Sequence, residues 1–398
     1  MTLAPYDGEA WLPEIPKGLQ PLSPNPGGGG DPERDLVGRE AELSWLKEGV
    51  SHGGAHVTGE RRMGKTWLVK KLQADLSDTV TAVYVSAENS TVALFEDRLL
   101  TALRENRLVG SKIGAWEREI GGEAKLNLGV FGLKLSAKGA KAAGVGQAGG
   151  APGGGSGELD VLDLLGSARV VLIIDEITHL CQRLGAAVAG EFLSGLRARR
   201  ESGGAPLVIS GSIGLHHVLH DDSPINDLLT VEVGPLATDE AVTLAARLLL
   251  GIGVEPAPRL VASIVRQTSA IPYYIQDVVD KMAHWEEPDV GTIVEKCLTT
   301  NAWHTEHYDT RLDEYYDDKA RHARAVLDFA ATAGGAVSLD AVRARLLADD
   351  PGLALSRDDL LDLLVKLEKD HYLVRDGNDD RMSSPLLTRI WRYRRRLP

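Results

Sequence analysis

The sequence predicts an α/β chain: five parallel strands joined by helices, then a helical segment, then a C-terminal unit of helices and a hairpin. Three observations predict it. Between Leu36 and Val233 short apolar runs alternate with helical patterns, the arrangement of parallel strands linked by crossover helices. A glycine-bounded segment, Gly59-Glu60-Arg61-Arg62-Met63-Gly64-Lys65-Thr66, follows the first such run and precedes an amphipathic pattern. The longest apolar run, Val170-Val171-Leu172-Ile173-Ile174, ends in Asp175-Glu176, and the carboxyl ends of parallel strands are where open sheets bind ligands.

Taken in order, residues 1–35 hold seven of the 18 prolines and four consecutive glycines, Gly27 to Gly30. Such a composition buries too little apolar surface to offset ordering entropy, so an extended arm is expected. The sheet domain spans 36–234, with strands expected at 55–58, 80–86, 170–174, 207–210 and 229–233. From about 107 to 158 the spacing exceeds an ordinary α/β loop, and an insertion is expected. Alternation over 125–135 predicts a hairpin, and nine glycines in 139–157 predict a linker. A solvated surface hairpin is the plain reading; a hairpin that touches a partner or DNA is the other. Apolar residues three and four apart over 239–250 and 259–268 predict a helical lid within 235–318. Segment 319–398 reads helix, helix, helix, hairpin: 321–332, 339–348, 357–369, then Tyr372-Leu373-Val374 turning at Asp376-Gly377-Asn378, the order of a winged helix.

At 398 residues the chain exceeds one compact core, and two or three domains are expected. Forty-four basic against 57 acidic residues give a formal charge of −13, which opposes polyanion binding by the whole surface. Two cysteines, Cys181 and Cys297, make neither a disulfide framework nor a four-thiolate zinc site. No apolar run is long enough to span a membrane. The start, Met1-Thr2-Leu3-Ala4-Pro5, lacks the basic flank and apolar core of a signal peptide, so a cytoplasmic location without membrane contact is expected.

The glycine-bounded segment has the spacing G-x-x-x-x-G-K-T. Its glycines permit a tight loop whose backbone N–H groups face phosphates, and the following helix N-terminus adds a favourable dipole. Lys65 supplies a cation for the β- and γ-phosphates, and Thr66 a hydroxyl for Mg²⁺. Asp175 would hold the metal through water, and Glu176 would polarise the attacking water. A third strand ends in Ser210-Gly211-Ser212, where Ser210 or Ser212 could sense the γ-phosphate or simply satisfy a turn. Arg197, Arg199 and Arg200 cluster at a helix end, either as an arginine finger reaching a neighbouring subunit or as a solvated helix C-terminus. His216-His217-x-x-His220-Asp221 and His304-Thr305-Glu306-His307 have ligand-like spacing but read more simply as surface histidines. Cys181 near His179 reads as a small buried apolar residue rather than a nucleophile.

These residues resemble the AAA-related STAND P-loop ATPases, especially the archaeal-type ATPase group, which includes bacterial members. Asn25-Pro26 before Leu36-Val37-Gly38-Arg39-Glu40-Ala41-Glu42-Leu43 resembles that family's opening motif, and Gly59 to Thr66 is close to its "G.RR.GKT" form. Ile174-Asp175-Glu176, Ser210-Gly211-Ser212 and Gly234-Pro235-Leu236 fall in the order of Walker B, sensor 1 and the start of the lid. Ala270-Ile271-Pro272-Tyr273-Tyr274-Ile275 is similar to the lid's "GG.PYYL", and Ser384-Pro385-Leu386-Leu387 through Trp391 to the terminal segment after the winged helix. The resemblance implies a P-loop NTPase, AAA-like, with ATP and Mg²⁺ as cofactors. It implies nucleotide contacts at Val37, Gly59, Glu60, Arg61, Arg62, Met63, Gly64, Lys65, Thr66, Trp67 and Pro272. Two departures stand out: Gly27 to Gly30 replace an apolar residue after Asn-Pro, and Ser269-Ala270 replace the glycine pair before Pro272.

Residues 381–398 carry six arginines and no acid, and Trp391 or Tyr393 could stack on a base while the arginines pair with phosphates. The would-be recognition helix carries Asp358, Asp359, Asp362, Glu368 and Asp370, which would repel a major groove. The expectation is therefore a regulatory ATPase whose nucleotide state switches protein–protein assembly, with a protein partner or further copies of itself. A DNA-associated ATPase using the basic tail, and a slowly hydrolysing nucleotide-holding scaffold, are the alternatives.

Overall fold

The computed structural model describes residues 11–76, 81–129, 132–138, 158–211, 215–219, 223–350, 352 and 355–398. They form two compact units, Asp31–Val233 and a second made of the described residues before Asp31 together with Gly234–Pro398.

The first unit runs α1 (Pro32–Asp35), α2 (Glu40–Ser51), β1 (Gly54–Thr58), α3 (Lys65–Leu76), β2 (Thr81–Ser86), α4 (Val92–Glu105) and α5 (Arg107–Ile120). It continues with β3 (Glu123–Gly129), β4 (Gly132–Lys138), β5 (Glu158–Asp160), α6 (Val161–Ser167), β6 (Val170–Asp175), α7 (Ile177–Leu184), α8 (Ala186–Glu201), β7 (Leu207–Ser210) and β8 (Leu229–Glu232). The five expected strands form one sheet in the order β2-β6-β7-β1-β8. Every pairing in it is parallel, so all five strands end at the same edge. The central strands β6 and β7 are buried along their whole length, which is why they read as continuous apolar runs. Side-chain caps start the helices that return across the sheet: Thr91 accepts from Leu94 N–H before α4, and Asp160 from Leu162 and Asp163 before α6.

The expected hairpin is present, and its plain reading is corrected. Strands β3 and β4 pair antiparallel with Leu126 opposite Leu135 and Leu128 opposite Leu133, and β5 adds a third strand. Leu126, Leu133 and Leu135 are buried in the same core as Phe95, Leu99, Leu172 and Phe192. Alternation that would be neutral in a solvated hairpin instead presents one apolar face to the sheet domain. The glycine-rich segment 139–157, Val130 and Phe131 lie outside the described residues.

The second unit contains α9 (Thr238–Gly251), α10 (Pro258–Gln267), α11 (Pro272–Trp285), α12 (Val290–Thr299) and α13 (His307–Tyr315). After them come α14 (Ala320–Thr332), β9 (Val337–Ser338), α15 (Leu339–Asp349), α16 (Arg357–Lys369), β10 (Leu373–Asp376), β11 (Asp379–Met382) and α17 (Pro385–Arg395). Strands β10, β11 and β9 form a small antiparallel sheet, and Gly377, at φ +67°, turns between the first two. Buried Asp277 accepts from Trp303 Nε1 at 2.6 Å and from Lys281 at 2.6 Å, tying α11 to the turn before α13.

Residues 11–30 form neither helix nor strand, yet the segment is pinned. Leu22 N–H donates to the Arg247 carbonyl at 2.9 Å, Arg247 Nε to the Gln20 carbonyl at 3.0 Å, and Asn25 N–H to Gln276 Oε1 at 3.1 Å. Contact with α9 is so close that a Cβ on Gly251 would lie 2.0 Å from the Leu22 carbonyl oxygen. Backbone hydrogen bonds hold in place a segment that has little apolar surface to bury.

The stacking role expected of Trp391 is also corrected. Residues from Pro385 form α17, whose Leu386, Leu387, Ile390 and Trp391 are buried. Trp391 is fully enclosed and donates to Asp328 Oδ1 at 2.8 Å, so it has no face to offer a base. Arg395 pairs with Asp328 at 2.9 Å and Arg389 donates to Gln267 at 2.5 Å. Tyr393 stays exposed. Among the described residues no helix is long and apolar enough to cross a membrane.

Candidate functional site

The loop from Gly59 to Gly64 leaves β1 and enters α3. Gly59 has φ +140°, and a Cβ there would lie 2.2 Å from the carbonyl oxygen of Val233, so the position admits no side chain. Gly64 at φ +92° and Arg62 at φ +76° complete the bend. Because α3 begins at Lys65, its first-turn N–H groups have no intrahelical acceptor and carry the positive end of the helix dipole, the two ingredients of an anion site. The Lys65 ammonium is nearly fully buried and donates to the carbonyls of Gly59 and Glu60, each at 2.8 Å. These contacts curl its side chain back over the loop. Glu60 and Met63 are buried, Arg61 is exposed, and Gly64, Thr66 and Trp67 are half-buried.

Arg39, absent from the expected site, supports this loop from below. It is buried at the start of α2, pairs with Glu42 at 2.8 Å and donates from its other nitrogen to the Met63 carbonyl at 3.1 Å. Its backbone is left-handed at φ +74°. Val37 is buried in the turn between α1 and α2. The sequence signal for Arg39 lay in its own motif, two residues after Val37, but spacing alone did not reveal where the guanidinium goes.

Asp175 ends β6 between β2 and β7, and is almost wholly buried. Its Oδ2 accepts from Thr66 Oγ1 at 2.8 Å, a contact between residues 109 positions apart, and from the Tyr84 hydroxyl at 2.8 Å. Ser210 Oγ donates to its Oδ1. The same Ser210 oxygen accepts from Glu176 N–H at 3.2 Å. Glu176 is half-buried and left-handed at φ +55°, a conformation with a cost of order 1–3 kcal/mol in a residue with a Cβ. Thus Ser210 links the two acids, one through its side chain and one through its backbone. Burial and then the charge of Asp175 push the Tyr84 hydroxyl far above its ordinary value, so it stays a proton donor.

The structure therefore brings together Lys65, Thr66, Asp175, Glu176 and Ser210. Tyr84 joins them; the strand alternation of β2 marked it as strand but not as a neighbour of Asp175. Ser212 and His220 lie outside the described residues. Arg199 and Arg200 are not brought to the site. They lie at the C-terminus of α8, where Arg199 meets Asp160 at 3.2 Å and Arg200 meets Asp227 at 2.9 Å. Arg200 also reaches the Gly53 carbonyl ahead of β1, at the opposite edge of the sheet from Thr66. Within this chain the cluster is held by these ion pairs at the C-terminus of a helix. Pro272 opens α11 in the second unit. Burial pushes the Cys181 thiol up to about 12, which removes it as a nucleophile at neutral pH. His304 is left-handed at φ +46° and precedes α13, while His307 Nδ1 contacts its carbonyl at 2.9 Å, so the two do not share a helical face.

No protein-family model and no curated protein matches this chain. Among solved structures, the chain is similar to a Walker-type ATPase of Pyrococcus abyssi, with 17% identity and a TM-score of 0.63 over 92% of this chain and 99% of the other. It is also similar to the Aeropyrum pernix ORC2 protein, with 12% identity and a TM-score of 0.46 over 91% and 94% of the two chains. The first likeness fixes the fold. It is an α/β P-loop fold with a parallel five-stranded sheet.

The donor set fits a phosphate with a hard cation. A glycine loop and helix N-terminus present N–H groups, a buried ammonium stands beside them, and the nearby side-chain ligands, Thr66 and Asp175, offer oxygen alone. Oxygen-only coordination is what Mg²⁺ requires, and soft-metal ligands are missing from this set.

Proposed function

We propose that this protein binds Mg²⁺-ATP on the loop Gly59 to Thr66, hydrolyses it, and uses the nucleotide state to switch protein–protein assembly. The observation that carries the proposal is the Thr66–Asp175 hydrogen bond beside the buried Lys65 ammonium. Residues far apart in sequence meet where an oxygen-bound cation and a phosphate would be shared. The fold held in common with a Walker-type ATPase supports the same reading.

In this account the loop N–H groups and Lys65 hold the β- and γ-phosphates, and Lys65 exchanges its two carbonyl partners for phosphate oxygens. Thr66 would ligate Mg²⁺ directly and Asp175 through water; the ion, when bound, neutralises charge that builds on the transferring phosphoryl group. Glu176 orients and polarises the attacking water. Ser210 holds Asp175 and the Glu176 backbone in fixed relation, so a shift at one acid is felt at the other. A change of nucleotide can move an assembly equilibrium only through contacts that differ between ATP and ADP, and this pair of acids supplies such a difference. The helical segment 235–318 acts as a lid, and 319–398 as a winged helix that meets a protein partner or another copy of the chain.

Two variants test the proposal. Lys65→Ala should weaken calorimetric ATP binding at least about thirtyfold, a loss of about 2 kcal/mol for a buried charge-assisted contact. Glu176→Gln should bind ATP as the parent does and release phosphate at least about a hundredfold more slowly. ATP affinity that is unchanged in Lys65→Ala overturns the site; equal phosphate release from the parent and Glu176→Gln overturns the assignment of the base and favours a nucleotide-holding scaffold.

A further inference from the structure

Three hydroxyls converge on the Asp175 carboxylate, and one of them has no part in the chemistry proposed above. Thr66 is a metal ligand in that account and Ser210 joins the two acids, but Tyr84 comes from the neighbouring strand β2 and reaches only Asp175 Oδ2, at 2.8 Å. Its place follows from the sheet: β2 pairs with β6 in register, Tyr84 opposite Ile173 and Ser86 opposite Asp175. The phenol is long enough to reach the last residue of the next strand from two positions back. Lys70 on α3 lies 5.6 Å above the ring and helps to seat it.

An ionised carboxylate offers about four lone-pair sites. Thr66 and Tyr84 occupy both sites of Oδ2, and Ser210 takes one on Oδ1. Among the described residues no other donor takes the second site on Oδ1, which can accept from a metal-bound water. Without Tyr84 the carboxylate would have a second open site on Oδ2 and freedom to turn about its Cβ–Cγ bond.

We propose that Tyr84 is a positioning residue for the metal: it fixes the orientation of Asp175 so that a single lone pair is presented to the hydration shell of Mg²⁺. This rests on the reading of the loop as a Mg²⁺-ATP site. In this account Tyr84 acts on the metal through Asp175.

The test measures binding. ATP affinity is followed by calorimetry across a Mg²⁺ titration for the parent, Tyr84→Phe, Asp175→Asn and the double variant, each checked by thermal melting. The phenylalanine ring keeps the seat under Lys70, so the fold is retained. In the parent, ATP binding should tighten with Mg²⁺. In Tyr84→Phe the Mg²⁺ concentration for half of that tightening should rise roughly tenfold, while affinity without Mg²⁺ stays as in the parent. In the Asp175→Asn background the same Tyr84 substitution should change nothing further, because its path to the metal is already gone. Unchanged Mg²⁺ dependence in Tyr84→Phe, or an equal effect in both backgrounds, overturns the positioning role. A parent that binds no ATP at any Mg²⁺ concentration would instead overturn the site itself.

Discussion

Asp380 shows what one misplaced charge does to this chain. It is buried on β11, and burial, followed by the hydrogen-bonded carboxyl of Glu368, pushes it from an ordinary 3.8 up to about 6. Between those values the folded chain keeps a proton that the unfolded chain has released, so stability falls as pH rises through the window and is lowest above it. Asp380→Asn removes the charge at constant shape. Melting temperature should rise by several degrees relative to the parent at pH 7.5, with the gap closing below pH 4; a gap that persists at low pH would mean another cause. At this scale the sequence was partly legible. Lys65, Thr66 and Asp175 were readable because a motif and a strand end fix their chemistry in a few residues. Tyr84 and Arg39 were not, because each reaches its partner across the fold, and only strand register or the path of a buried guanidinium reveals the pairing.

Among the elements, the parallel strands were the easiest to read, since a strand buried on both faces is apolar throughout. The hairpin β3–β4 was legible as a hairpin but not as core, because alternation gives the apolar face without saying what it meets. Helix α17 was misread for the opposite reason. Its arginines dominate the composition, yet Leu386, Leu387, Ile390 and Trp391 recur with helical spacing and form a buried stripe beneath them. Trp391→Ala should therefore destabilise the second unit by about 3–5 kcal/mol, read by denaturant unfolding. A surface tail would show no loss of stability.

For the whole molecule the open question is which surface answers the nucleotide. Truncation at Arg389 would remove Ile390 and Trp391 from the core and confuse folding with binding. Charge reversal at exposed Arg392 and Arg396 leaves that core in place. With the acidic balance of the chain, duplex DNA affinity should be weak and should hardly change with these reversals, measured as a function of salt. A steep salt slope that the reversals abolish would establish the tail as a DNA contact. Particle mass should differ between ADP and a non-hydrolysable ATP analogue; identical mass in both would remove self-assembly as the response and leave a different protein as the partner.

The strap that lies along α9 imposes an order on the making of this protein. Gln20 bonds to a residue 227 positions later, and Asn25 to one 251 positions later. During synthesis, residues 11–30 must wait while all of Asp31–Val233 is made before their docking site exists. The unit bearing the glycine loop contains its whole sheet without help from either end, so it can mature first. The helical unit closes only when residues 11–30 meet helices α9 and α11, made more than 200 positions later, which makes that closure the long-range and therefore slow step of folding.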